Sequence, residues 1–313
     1  MRMIDFHCDV LSKLLEDREA EFSGPGAASL DVTYERLQEA GTALQVFAVY
    51  IPARLSGRIE PILESIDLFY EKVVSCGRMQ PVRNRQELDA CLNEGRIGAM
   101  LSLEGVDGLN GSLPALRLLH RLGVRAAGLT WNHANWAADG IMEPRGGGLT
   151  TEGRRLVEEM LKLDMLLDVS HLSERGFWEL ISLSPKPLIA SHSNAREICG
   201  HPRNLTDDQI AALIGGGGMI GLTYVPWFIT SGEEAAIDDL LRHVDHICAL
   251  GGAANLMLGS DFDGIDRHAA GLSHPGELYR LREAMMKRYG EELTEAIIGG
   301  NALRFLRSRL PSA

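Results

Sequence analysis

Apolar residues along the chain fall into eight short runs, at 2–6, 43–50, 97–103, 125–130, 165–169, 187–191, 219–224 and 256–260. Each run is nearly continuous in apolar or small residues instead of alternating with polar ones, the pattern of parallel strands covered on both faces. Between the runs the period changes. Segments 58–76, 112–122, 150–163, 173–182, 206–214 and 235–250 place apolar residues at helical spacing. Ser173 and Thr206 stand at N-cap positions, and Gln209, three residues after Thr206, completes a capping box that Gly176 cannot complete for Ser173. The glycines at 215–218 end the 206–214 helix ahead of the seventh strand. Eight strand-helix alternations predict a (β/α)8 TIM barrel, an α/β fold. No linker composition interrupts them, so residues 1–313 read as a single domain. The polar, Gly-rich stretch 131–150 follows the fourth strand and is expected over the C-terminal mouth of the barrel.

Charge and composition narrow the function. The 313 residues carry 31 Lys+Arg against 43 Asp+Glu, a net charge of −12. With no basic stripe, the electrostatic attraction that dominates nucleic-acid binding is missing. No apolar run reaches the ~18 residues of a membrane span. The first ten residues put charges where a secretion signal needs an apolar stretch. The five cysteines (8, 76, 91, 199 and 248) form no CxxC pair and are odd in number, which reads as reduced, buried thiols in a cytoplasmic protein. Two motifs are discarded. Gly216–Gly221 fits GxGxxG but precedes a strand instead of opening a helix. Asp261–Asp266 starts like a calcium loop but reaches Leu272 where the closing Glu belongs.

The informative pattern is what stands at the strand ends. The first strand ends in His7-Cys8-Asp9, the third in Glu104, the fifth in His171, the sixth in His192 and the eighth in Asp261. In a parallel barrel all these ends open on one face. Three imidazoles and three carboxylates there form a donor set for zinc, manganese or iron. Buried together without a cation they would be costly. The i, i+2 spacing of His7 and Asp9 turns both to one side of an extended segment, so they can share one ion. Glu104 is the natural bridge to a second, and two ions so bridged activate a shared water.

These residues resemble those of the membrane dipeptidase (renal dipeptidase) family of zinc peptidases, in the amidohydrolase-like superfamily. The matching stretches are DFHCD at 5–9, LSLEGVDGL at 101–109, LGVRAAGLTWN at 122–132, LLDVSHLS at 166–173, PLIASHSNAREICGHPRNLTDDQI at 187–210 and GSDFDG at 259–264. They run in the family's order over nearly the whole chain. The resemblance implies two zinc ions, or manganese or another divalent metal in their place. His7 and Asp9 would hold the first ion, Glu104 would bridge, and His171 and His192 would hold the second. It implies that Arg203 binds a substrate carboxylate and that Asp261 is the acid/base. It also implies hydrolysis of free dipeptides, often with a D-residue at the C-terminal position, and is compatible with a homodimer.

One position departs from the family pattern. Animal members carry a His directly after the Thr that ends the fourth strand; here Trp131 stands there, followed by Asn132 and His133. Indole is a donor on a larger body and does not replace imidazole directly. Trp131, Asn132 and Tyr224 are expected to contact substrate. Asp263 reads as structural, His133, His268 and His274 as loop residues, and His120, His243 and His246 as packing or surface residues. Two alternatives stay open. One is another amidohydrolase-type hydrolase acting on a cyclic amide, lactam or ester; the other is a metal-binding homologue without turnover. The absence of a bridging lysine argues against the first, and retention of Asp261 against the second.

Overall fold

The computed structural model describes residues 2–55, 57–75 and 77–312, so Cys76 lies outside the described residues. The strands are β1 (Met3–Asp5), β2 (Thr42–Tyr50), β3 (Met79–Pro81), β4 (Ile97–Glu104), β5 (Val124–Gly128), β6 (Leu166–Asp168), β7 (Ile189–Ala190), β8 (Met219–Leu222) and β9 (Leu256–Leu258). All pair in parallel. The ladder runs from β4 through β5, β6, β7, β8 and β9 to β1 and β2, and β2 returns to β4. Eight strands therefore close on themselves, as the eight apolar runs predict. The unpredicted β3 pairs with Ile97–Ala99 at the start of β4, along the edge that β5 occupies further on. It is three residues long and ends in proline, which offers no N–H to extend a ladder.

All six predicted helices form. They are α3 (Glu60–Leu68), α5 (Leu113–Arg121), α6 (Thr151–Lys162), α7 (Glu174–Leu183), α8 (Asp207–Gly215) and α10 (Ile237–Ala249); α3 continues into a wider π-helical turn at Phe69–Val74. Further helices, less sharply patterned, are α1 (Val10–Glu16), α2 (Tyr34–Glu39), α4 (Arg85–Asn93), α9 (Pro226–Ile229), α11 (Leu278–Glu295) and α12 (Asn301–Arg309). Ser173 caps α7 by accepting from Gly176 N, and Thr206 with Gln209 forms the expected capping box on α8. Each cap satisfies an orphan helix donor, contributing about 1 kcal/mol.

Two apolar cores result. The larger fills the space between barrel and helices, and includes Phe47, Leu101, Leu129, Leu167, Ile220 and Leu258. The smaller takes residues from every barrel strand: Ile4, Leu44, Met100, Ala126, Leu166, Ile189, Met219 and Met257. Ala302, Phe305, Leu306 and Leu310, on α12 and just after it, join this inner core. The C-terminal helix thus stops the bottom of the barrel and leaves the opposite mouth for polar groups. Among the described residues no helix is long and apolar enough to cross a membrane. Cys8, Cys91 and Cys199 are buried and free, and Cys248 is half-buried and free.

Candidate active site

The strand ends deliver the predicted ligands to one place. His7 and Asp9 follow β1, Glu104 ends β4, His171 follows β6, His192 follows β7 and Asp261 follows β9. The His7 Nε2 atom lies 3.4 Å from Asp9 Oδ2, 3.5 Å from Glu104 Oε2 and 3.7 Å from Asp261 Oδ1. The other Glu104 oxygen, Oε1, lies 2.8 Å from His171 Nε2 and 3.7 Å from His192 Nε2. Glu104 therefore spans the cluster, with one oxygen toward each side. Two overlapping sets, His7/Glu104/His192 and His7/Asp9/Asp261, hold their ligand atoms within 4.8 Å of one another.

Hydrogen bonding around the imidazoles tests whether a metal fits. His171 Nδ1 is 2.8 Å from Asn132 Oδ1. An amide oxygen only accepts, so Nδ1 carries the proton and Nε2 a lone pair. That Nε2 is also 2.8 Å from His192 Nε2. On the far side of His192, Nδ1 meets Ser191 Oγ at 2.7 Å, and the Ser191 amide donates to the Asp168 carboxylate at 3.0 Å. A hydroxyl that accepts from His192 Nδ1–H leaves His192 Nε2 as a second lone pair. Two lone pairs and a carboxylate oxygen converge, and His7 Nε2 and Asp9 Oδ1 are buried without hydrogen-bond partners. A divalent cation satisfies these atoms; an all-protein arrangement does not.

The metal-free electrostatics divide the cluster. Burial alone would depress His7, but Glu104 and Asp9 override it and hold its imidazole well above the ordinary value. Burial lowers His171 to about 4, with Arg203 adding to the effect; His192 is pushed well down by burial and by His7. Burial raises Glu104, yet His7 and His171 outweigh it and keep the carboxyl well below its usual range. Burial lifts Asp261 to about 8, against His7 and with help from Asp9 and Glu104. His171 and Asp261 also sit at φ 69°, a left-handed conformation that non-glycine residues rarely adopt. Such strain concentrates at functional positions. Gly264 is needed beside them, since a Cβ there would lie 2.3 Å from Asp9 Oδ2 and 2.5 Å from Asp261 Oδ1.

The cluster opens into a cavity of about 340 Å³, lined by Asp9, Glu104, His171 and Asp261 and walled by Tyr50, Trp131, Asn132, Trp227 and Phe228 among others. That is the lower end of the range for small-ligand pockets. Trp131 lies between Tyr50 and His171, with ring centroids at 5.2 and 6.1 Å. Arg203 is buried behind the site. Its Nη2 donates to the His192 carbonyl at 3.3 Å, Phe228 stacks at 5.4 Å, and Nε has no partner. Burial lowers it to about 10, opposed by Asp261 and Glu104. Tyr224 is not brought to the cavity. It is fully buried in the outer core, edge-on to Phe262 at 5.5 Å. Asp263, lining the wall, accepts from the Asp31 and Val32 amides at 2.8 and 2.9 Å and so clamps a neighbouring loop.

The remaining histidines stand apart from the cluster. His133 is exposed, and its carbonyl accepts from Gly140 N. His268 and His246 pair with Asp31 and Asp207, each at 2.7 Å. His243 is a buried link between Ala195 N and the Ile229 carbonyl. The ring of His201 packs on Phe228 at 4.5 Å, and its Nδ1 accepts from Arg203 N.

Three supporting residues escape a sequence reading. Asp5 accepts from Ser260 N at 2.9 Å and Ser260 Oγ at 2.5 Å, tying β1 to the chain after β9. Asp168 accepts from Ser170 N and Ser191 N, both at 3.0 Å, tying β6 to β7. Tyr50 stands opposite Glu104 in the β2–β4 register and lines the cavity; burial and Glu104 push its phenol up to about 12. The available signal was position: Asp5 and Asp168 precede ligand histidines by two and three residues in stretches that end strands.

Comparison with known proteins agrees with this geometry. The model of the membrane dipeptidase family, peptidase family M19, matches residues 1–310. Dipeptidase 3 of Rattus norvegicus is 27% identical over 97% of this chain and 64% of its own length. Dipeptidase tcpJ of Claviceps purpurea is 32% identical over 74% of this chain and 55% of its own. The chain thus spans about half to two thirds of the length of these curated relatives. Solved structures match end to end. A dipeptidase AC of family M19 superposes with a TM-score of 0.91 at 29% identity, covering 100% of this chain and 99% of the other. A metallopeptidase from Rhodobacter sphaeroides, liganded with a phosphinate mimic of the dipeptide L-Ala-D-Ala, superposes with a TM-score of 0.89 at 29% identity, covering 99% of each. This chain belongs to the membrane dipeptidase family, peptidase family M19.

Proposed function

We propose that this chain is a metal-dependent dipeptidase that hydrolyses the peptide bond of free dipeptides, with a D-residue accepted at the C-terminal position. One observation carries the reading: six metal-type ligands from five strand ends converge on one small cavity, with Glu104 facing both halves of the set. The donor set suits two zinc ions, His7 and Asp9 on one side, His171 and His192 on the other, Glu104 between; manganese has the same preferences. Such ions, when bound, make a water nucleophilic near neutral pH and polarise the scissile carbonyl.

The chain's own residues account for the remaining steps. Asp261 on the cavity wall accepts the proton of the attacking water and delivers it to the leaving amine, base first and acid second. Arg203 answers the C-terminal carboxylate of the substrate. Its support is chemical: a guanidinium only 5% exposed, with no carboxylate in ion-pair contact among the described residues, is costly unless an anion arrives. Trp131, Tyr50 and Trp227 bound the space for side chains and exclude water. One hydrolase domain over residues 1–313 and a reducing, cytoplasmic setting belong to the same proposal; the four free cysteines support the setting.

The test is hydrolysis by zinc-loaded protein of L-L and L-D dipeptides, their N-acetyl derivatives and tripeptides. Cleavage confined to free dipeptides is expected. Silence on every dipeptide with metal bound would overturn the reading and turn attention to lactams and cyclic amides, where the space beside Trp131 would be the determinant.

A further inference from the structure

The segment after β5 folds back on the strand end that carries His171. Ile141 N donates to the His171 carbonyl at 2.7 Å, Gly140 bridges to Leu172, and Thr130 Oγ1 reaches the same carbonyl at 3.3 Å. These contacts hold His171 in its left-handed backbone conformation. The same segment then supplies a side-chain contact: Asn132 Oδ1 meets His171 Nδ1 at 2.8 Å. Asn132 is itself fixed. Its carbonyl accepts from Met142 N at 2.8 Å, and Gly140 packs so closely that a Cβ there would lie 2.4 Å from the Asn132 carbonyl carbon. On the opposite side the His171 Nε2 atom faces Glu104 and His192, both at 2.8 Å.

We infer that Asn132 is a positioning residue: its amide oxygen fixes the tautomer and the aim of His171, so that Nε2 is presented to metal. This rests on the two-ion reading given above and goes beyond it. Asn132 lines the cavity, yet its acceptor is already engaged, so its main work is on the ligand and not on the substrate. The two imidazoles of this half are oriented by unlike devices. His192 is backed by the Ser191 hydroxyl, on a residue whose backbone N–H is held by the Asp168 carboxylate, whereas His171 is backed by a neutral amide on a loop. A partner behind a ligating imidazole affects metal affinity by about 10–100-fold. The loop-borne partner is the one that a change in residues 131–142 can disturb.

The experiment is a titration of chelator-stripped protein with zinc alone, read against a competing indicator. Wild-type protein is expected to take up two equivalents. Asn132→Leu, which keeps the volume and removes the acceptor, should weaken one equivalent by about 10–100-fold and leave the other unchanged. Asn132→Asp, whose carboxylate accepts the same N–H, should retain both. Gly140→Ala, acting on Asn132 from behind, should weaken the same equivalent. Nitrogen NMR of the histidines should show the Nδ1–H form of His171 in wild type and its loss in the Leu variant. If the Leu variant does not fold, Asn132→Ala carries the same comparison. Wild type with two tight ions and a Leu or Ala variant that also holds both tightly would overturn the inference alone. So would equal loss of both ions, or an Asp variant as weak as the Leu one. Fewer than two ions on wild type would overturn the two-ion reading itself.

Discussion

The two halves of the histidine–carboxylate cluster are built from opposite materials. On one side His7 stands among Asp9, Asp261 and one oxygen of Glu104, and the surplus of carboxylates holds its imidazole well above the ordinary value. On the other, His171 and His192 face each other with Arg203 behind them, and burial, with the Arg203 and His7 charges adding to it, depresses both. One half needs positive charge to separate its carboxylates; the other already holds its imidazoles neutral, in the form that binds metal. The proposed proton carrier, Asp261, belongs to the crowded half, where burial and its neighbours Asp9 and Glu104 raise it.

The strongest way to break the contrast is to remove the group both halves share. Glu104→Gln should abolish dipeptide hydrolysis, by about 10³-fold or more, and disturb both metal equivalents, as measured by steady-state kinetics and metal content. Asp261→Asn should lower kcat by about 10²–10⁴-fold with metal largely retained, because it removes the proton carrier and spares the four outer ligands. Retained activity in that variant would move the proton step to another residue. Gly264→Ala should damage the carboxylate half first, since the atoms nearest its Cβ belong to Asp9 and Asp261; about a tenfold loss of kcat/KM is expected, with the His171–His192 equivalent intact.

The subtlest contrast lies in the pH dependence of stability. In the metal-free protein Asp261 has a folded pKa of about 8 against an ordinary 3.8, so the folded state holds the extra proton. Its contribution is present at low pH and is lost as pH rises toward 8. His171 behaves oppositely. Its folded pKa of about 4 lies below the ordinary 6.5, so the unfolded chain binds the proton, and stability is lost as pH falls from 6.5 toward 4. Urea unfolding of chelator-treated protein should therefore show Asp261→Asn flattening the loss of stability as pH rises toward 8 and His171→Gln flattening the loss as pH falls from 6.5 toward 4. Identical profiles for the two variants would erase the distinction between the halves.

Much of this was legible in the chain. A ligand placed directly after an apolar run needs no tertiary knowledge to be located, because parallel barrel strands all end on one face. His7, Glu104 and His192 are read this way. Asp5 and Asp168 are not, since their partners are amides of the neighbouring strand and depend on register, which local sequence does not specify. Tyr224 shows a second limit. It sits two residues beyond β8, where alternation has lapsed, and its ring turns into the outer core. Asn132 was found as a residue of the mouth, but its role needed the fold-back of 140–142 onto His171–Leu172, a contact between two loops that no periodicity encodes.

The seam between β1 and β9 joins segments that lie far apart along the chain. Asp5 and Ser260, partners in a buried hydrogen bond, are 255 positions apart, and His7 and Asp261 meet only once that seam has formed. The chain must therefore run through all of β2 to β9 before the cluster's last carboxylate can meet its first histidine. A chain cut directly after β9 would keep all nine strands and the other five residues of the cluster, yet lose Ser260, the seam's partner for Asp5, and Asp261, the proposed proton carrier.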